Sequence, residues 1–150
     1  MAEHRIDIIA PSRMLTINAE RTIHWTARAA IVKLWRQAGW AEALQAKLPR
    51  LQAAEIDAYP VQKGVLADAG AHAPVVKALV DGLVDAHVLP DDSPAYLRAL
   101  RIHPPTRGKP GVTLVVTDAS ASTEPSSRNS SPDVPPILAS TNENETKGPA

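Results

Sequence analysis

The stretch ProValValLysAlaLeuValAspGlyLeuValAspAlaHisValLeuProAspAspSer, residues 74 to 93, constrains the fold more than any other part of the chain. Val75, Val76, Leu79, Val80, Leu83 and Val84 recur at i, i+3, i+4 and i+7 spacing. That period belongs to a helix with one buried stripe, so the segment must lie against a core. The other side carries Lys77, Asp81 and Asp85, and a Pro-Asp-Asp-Ser turn brings in Asp91 and Asp92. One further carboxylate, Asp68, lies just upstream. Lys77 and Asp81 are four apart and therefore neighbours on the helix surface. By themselves they read as a solvated i,i+4 pair, and Asp91 and Asp92 as a plain turn. Carboxylates flanking a short helix beside a lysine are also what a hard divalent cation and a phosphodiester would need.

Around this helix the sequence predicts the order strand, helix, strand, helix, strand, strand. Arg5 to Ile9 alternates weakly and gives a first strand. A helix is expected from about Ile23 to about Leu48, with Ala27, Ile31, Leu34, Trp35, Ala38, Leu44 and Leu48 on or near one face and Gly39 as an interruption. Gln52 to Val61 follows Pro49 and alternates Ala54, Ile56 and Ala58 with Glu55 and Asp57, a second strand. After the Lys-Asp helix, 95–102 and 112–117 form the last two strands, joined by ProProThrArgGlyLysProGly. The class is α+β, with two main helices packed on a small mixed sheet. In this plan Asp92 opens a strand and Asp68 sits in the loop that begins the second helix.

The 150-residue length is that of one domain with a single core. From Ala119 onward the composition shifts to Ser, Thr, Pro, Asn and Glu, so 1–118 reads as the folded domain and 119–150 as a disordered tail. The tail is either inert or carries a partner-binding motif around Pro135, Pro136, Ile137 and Leu138. With no Phe, the core must rest on Ala, Val, Leu and Ile, with Trp25, Trp35 and Trp40 as bulky anchors. The absence of cysteine excludes disulfides, thiolate catalysis and zinc-thiolate sites. No apolar run approaches a membrane span and none follows a basic start, so a soluble protein of the cytoplasm is the expectation. Net charge is zero; without the tail's two basic and four acidic residues, 14 basic and 12 acidic remain, a slight positive excess that permits DNA binding.

The run AlaProValValLysAlaLeuValAspGlyLeuValAspAla followed by ValLeuProAspAspSerPro resembles the RusA family of Holliday junction resolvases, especially its phage and actinobacterial members. Asn18, Arg21, His24, Trp25 and Arg28, spaced N-x-x-R-x-x-H-W-x-x-R, look like that family's N-terminal pattern. IleHisProPro at 102–105 with GlyLysProGlyValThrLeuValVal from 108 resembles its closing hairpin. The likeness spans roughly Arg5 to Thr117. It implies a homodimeric endodeoxyribonuclease that cuts four-way junctions in recombination and repair with magnesium, or manganese, as cofactor. By the same resemblance Asp68 and Asp92 hold the metal and Asp91 assists. Lys77 faces DNA or the scissile phosphate, and Asp81 is either its partner or an outer-shell group. Arg21, His24 and Arg28 would contact the DNA backbone, with His24 and Trp25 at a helix start whose free N–H groups attract phosphate. The plainer reading makes Trp25 core and His24 an ordinary surface residue.

The chain departs from the family pattern in three places. Ala71 stands where an Asn would follow Asp68, and alanine can orient neither ligand nor water; adjacent His72 could substitute, better for zinc or manganese than for magnesium. His87 replaces the glycine that ends the helix, in a position that favours a left-handed backbone. Lys63 is what remains of an arginine-rich run before the aspartate loop. The rival expectation is therefore a binding module of phage or prophage origin that grips DNA or protein without cutting. A metal-dependent phosphoesterase on small substrates ranks after both.

Overall fold

A computed structural model describes residues 2–120. The elements run β1 (Glu3–Ile9), α1 (Ile17–Thr22), α2 (Trp25–Gln45), β2 (Ala54–Gln62), α3 (Ala73–Asp85), β3 (Leu97–Ile102), the two-residue β4 (Thr106–Arg107) and β5 (Gly111–Asp118). The expected α+β class and the order of its main elements hold, with α1 and β4 added. The sheet order is β1-β5-β2-β3, with β4 also paired to β2. β5 lies antiparallel to both β1 and β2, whereas β2 and β3 are parallel. The expected closing hairpin is therefore not one: β5 crosses past β2 to the middle of the sheet, and β3 stays at the edge. Asp92 does not open a strand either, since it belongs to the turn five residues before Leu97.

Period-two alternation places Ala54, Ile56, Ala58, Val112, Leu114, Val116, Ile6 and Ile8 on one sheet face, all buried. α3 lays Val75, Val76, Leu79, Val80 and Leu83 into the same core. Burying a Val or Leu side chain is worth about 1.5–3 kcal/mol relative to exposure, so this helix is the main apolar ballast of the fold. α2 packs on α3 rather than directly over the sheet, and Gly39 marks the crossing instead of breaking the helix. A Cβ on Gly82 would run into the Arg36 carbonyl oxygen, and one on Gly39 would stand 2.8 Å from that of Leu79. The two backbones touch because both positions lack a side chain.

That close crossing restricts what α2 buries. Trp35, Gly39 and Ala43 are its buried residues, while Leu34, Leu44 and Trp40 are exposed. Of the three expected tryptophan anchors only Trp35 belongs to the core; Trp25 is 69% exposed. At the end of α3, His87 has φ 64°, the left-handed conformation anticipated just past the helix end. Ala119 packs into the fold, 2% exposed, with its N–H donating to the Ala53 carbonyl at 2.9 Å. The folded unit thus extends past the expected boundary at 118. Residues 121–150 of the proposed tail, including Pro135 to Leu138, lie outside the described residues. No helix among the described residues is long and apolar enough to cross a membrane.

Candidate functional site

The solvent side of α3 gathers charge as the sequence suggested. Lys77 Nζ donates to Asp81 Oδ1 at 2.8 Å, one turn along the helix. It also donates to Asp92 Oδ2, which the Val88–Pro90 segment returns to the helix from 15 residues away. Two carboxylates thus share one ammonium. Hydrogen bonds to Asp81 and then Asp92 hold the Lys77 ammonium above its ordinary range, and Lys77 holds the Asp92 carboxyl below its own. All three groups keep substantial solvent contact, so each bridge adds roughly 0–1 kcal/mol to stability. Asp91 does something different: its Oδ1 accepts the Ser93 N–H at 2.7 Å and shapes the turn that presents Asp92.

Asp68 lies on the loop between β2 and α3, and its carbonyl accepts the Ala71 N–H at 3.0 Å. Gln62, at the end of β2, organises that loop. Its Oε1 accepts the Ala67 N–H at 2.9 Å and lies 3.1 Å from His72 Nε2, while its Nε2 donates to the Val65 carbonyl at 3.0 Å. Because the Gln62 oxygen already serves as an acceptor, His72 must carry its proton on Nε2. His72 is 2% exposed, and burial pushes its imidazole below the ordinary value, with the Leu15 carbonyl opposing. It is an interior brace for the loop and not a ligand facing the surface, contrary to the role suggested for it beside Ala71. Among the described residues, no three His, Asp or Glu side chains stand together as a metal-binding set. The structure couples Asp92 to Lys77 and Asp81.

The N-terminal pattern meets this loop. The Ile17 N–H donates to the Ala71 carbonyl at 2.9 Å, so the start of α1, with Asn18, abuts the residue that precedes His72. Arg21 is exposed in the last turn of α1. His24 is the N-cap of α2: its Nδ1 accepts the Thr26 N–H at 3.2 Å and sits 2.7 Å from the Thr26 hydroxyl. The imidazole therefore takes one of the helix donors that a phosphate would use. Its ring stacks on exposed Trp25, centroids 5.8 Å apart. Arg28 pairs with Glu20 at 3.1 Å, which ties α2 to α1 and divides its charge between partner and solvent.

Two charged clusters went unread in the sequence. Arg36 grips Asp85 through two hydrogen bonds, 2.6 and 2.8 Å, clamping α2 to α3 beside the glycine crossing. On the sheet face away from the helices, Asp57 accepts from Arg101 Nε at 2.8 Å and Nη2 at 3.1 Å, and from His103 Nε2 at 2.8 Å. Arg101 also reaches Glu55, and the His103 ring stacks on Tyr59 at 4.3 Å. Arg101 and, after it, His103 pull the Asp57 carboxyl below the usual range. Alternation did put Glu55 and Asp57 on one face; only the parallel pairing of β2 with β3 reveals Arg101 as their neighbour. Compared with known proteins, the chain matches no family model and no curated protein.

Proposed function

We propose that this protein is a RusA-like endodeoxyribonuclease that hydrolyses phosphodiesters in four-way junction DNA, working as a homodimer with magnesium or manganese. The observation that carries the reading is the return of Asp92 onto Lys77 and Asp81, which makes one charged surface of segments that the resemblance joins only in sequence. The hydrogen bond from Ile17 to Ala71 adds the α1 pattern to the same neighbourhood. Carboxylate oxygens suit a hard cation; Ala71 contributes no donor. Asp92 and Asp68 would hold the metal, with Asp81 within reach of the same ammonium as Asp92. When bound, the metal would polarise the phosphate and lower the pKa of water. Lys77, released from Asp92, would offset the charge that accumulates on the phosphate in the transition state. Arg21 and Arg28 would hold the backbone, since phosphate contacts position a duplex without reading it.

The second reading, a module that binds without cutting, is favoured by Ala71 and by the neutralisation of Asp92 by Lys77. One experiment separates them: a synthetic four-way junction incubated with the protein in magnesium, manganese or EDTA, alongside Asp92→Asn. The nuclease reading expects metal-dependent cleavage that Asp92→Asn abolishes while folding and junction affinity persist. Undiminished cutting by the variant removes Asp92 from the site. Tight junction binding without cleavage in either metal selects the second reading.

A further inference from the structure

Three cations from three separate segments surround one hollow with no carboxylate in its lining. Arg13 in the loop after β1, Lys63 in the turn after β2, and Lys109 in the loop before β5 line a cavity of about 470 Å³ together with Ile9, Met14 and Pro110. None of the three forms an ion pair among the described residues, whereas Arg5, Arg28, Arg36, Lys77 and Arg101 all do. The nearest acid in the adjoining hollow, Asp7, is engaged by the Thr113 hydroxyl at 2.5 Å and by Arg5 at 3.5 Å.

The segments that present these cations are tied to one another and to the core. The buried Trp35 indole donates to the Arg13 carbonyl at 3.0 Å, and the Ala10 N–H donates to the Pro110 carbonyl at 3.0 Å. The Gly108 N–H reaches the Gln62 carbonyl at 3.0 Å, and Arg107 Nε braces Gly64 at 3.0 Å. Like charges held together repel, and a fold that fixes three of them around a concave surface gains from an anion placed there. Ser12 is the lining's only uncharged polar side chain, and apart from it and the three cations the lining is apolar. The set can grip phosphate oxygens and pack against sugar, but it has no carboxamide or carboxylate with which to read a base edge.

We propose that this hollow is a sequence-independent site for the phosphodiester backbone of nucleic acid, with Arg13, Lys63 and Lys109 each engaging phosphate. The cation cluster stands apart from the nuclease reading; only the choice of a DNA backbone over free phosphate rests on it. The hollow, lined by all three residues, has a volume of about 470 Å³, room for more than one phosphate group, which suits successive phosphates of a strand.

The test compares the full chain with Arg13→Gln/Lys63→Gln/Lys109→Gln by fluorescence anisotropy on labelled duplex and four-way junction DNA between about 50 and 200 mM salt. Each phosphate contact contributes roughly 0.9 to the slope of log K against log salt, so the triple variant should lose about 2.7 of that slope at an unchanged melting temperature. If the triple variant does not fold, Lys63→Gln and Lys109→Gln alone should each lose about 0.9. Equal slope and affinity in wild type and variant overturn the site, even if the protein cuts junctions; normal binding losses without any cleavage uphold it and sink the nuclease reading. Failure of the wild type to bind DNA at low salt overturns both. Thermal stabilisation by inorganic phosphate that the variant loses, with DNA affinity unchanged, assigns the hollow to free phosphate and overturns the nucleic-acid source.

Discussion

Replacing Gln62 with Leu should cost the protein stability and loosen the Asp68 loop together. The carboxamide makes three hydrogen bonds between the end of β2 and the start of α3: to Ala67 N, His72 Nε2 and Val65 O. The bond to Val65 is exposed and water replaces it at little cost. Those to Ala67 and His72 are partly buried, and each is worth about 0.5–1.5 kcal/mol net. The greater penalty comes from the group left behind. His72 is almost wholly buried, and a leucine neighbour leaves its Nε2–H without an acceptor, at a cost of about 1–3 kcal/mol. The His72 bond and its orphaned donor are one loss, so with the Ala67 bond the total comes to about 1.5–4.5 kcal/mol. For a folded unit of this size, with an unfolding entropy near 2.1 cal/mol/K per residue, that is a fall in melting temperature of roughly 6–18 °C. The assay is thermal and urea denaturation followed by circular dichroism, with amide hydrogen exchange across residues 63–72. Exchange in that loop should accelerate beyond the global change, because the bonds lost are its own. A variant that melts with the wild type, or one whose extra exchange is spread evenly over the chain, would show that the loop does not depend on Gln62.

Two further outcomes test the packing and the buried charge states. Gly82→Ala drives a Cβ into the Arg36 carbonyl oxygen and to 2.8 Å from the Trp40 nitrogen, so the helices must part; overpacking of about 1–3 kcal/mol should outweigh the roughly 1 kcal/mol gain in helix propensity. A net increase in the urea midpoint would refute the crossing. Stability should also fall in two stages on acidification. Burial depresses the His72 imidazole, so the unfolded chain takes up its proton first and stability declines as pH drops below about 6.5, the ordinary imidazole value. The depressed carboxylates Asp57, Asp85 and Asp92 contribute stability above the ordinary aspartate value that is lost as pH falls through their lower folded ones. His72→Gln should flatten the upper stage of urea midpoint against pH and leave the lower one, and an unchanged upper stage would place that proton elsewhere.

The elements that sequence alone located are those whose own residues carry the information. α3 has a wide apolar stripe, a proline in its first turn and a left-handed residue just past its end, so its period, start and stop were all readable. β2 and β5 alternate cleanly and could be placed to within a few residues. α2 was harder to read. It lies on another helix with glycine at the contact, so little of its surface needs to be apolar for burial, and Leu34, Trp40 and Leu44 point outward where periodicity expected some of them in the core. Strand order was not legible, because period-two alternation says which face is buried and nothing about which neighbour is paired. The parallel β2–β3 ladder is set by the route of the chain through α3, and that ladder turns Arg101 into the partner of Asp57.

The same division explains the candidate site. Lys77 and Asp81 could be paired on paper because helix geometry fixes their separation. Asp92 could be brought to them only by analogy, since a turn of unknown angle intervenes; in the structure Asp91 sets that angle by accepting the Ser93 N–H, and Asp92 falls on Lys77. The two neighbouring aspartates therefore act in sequence, Asp91 fixing the backbone and Asp92 presenting the charge. Removing Asp91 should act through Asp92, loosening its hold on Lys77 while the Asp81 and Asp92 carboxylates stay on the charged surface. His72 went the other way. Its position next to Ala71 suggested a ligand, but an imidazole one residue before a helix that buries Val75 and Val76 points inward with them, where its Nε2 meets the glutamine at the end of β2. Chemistry that depends on short-range geometry was accessible from the chain, and chemistry that depends on which way a loop turns was not.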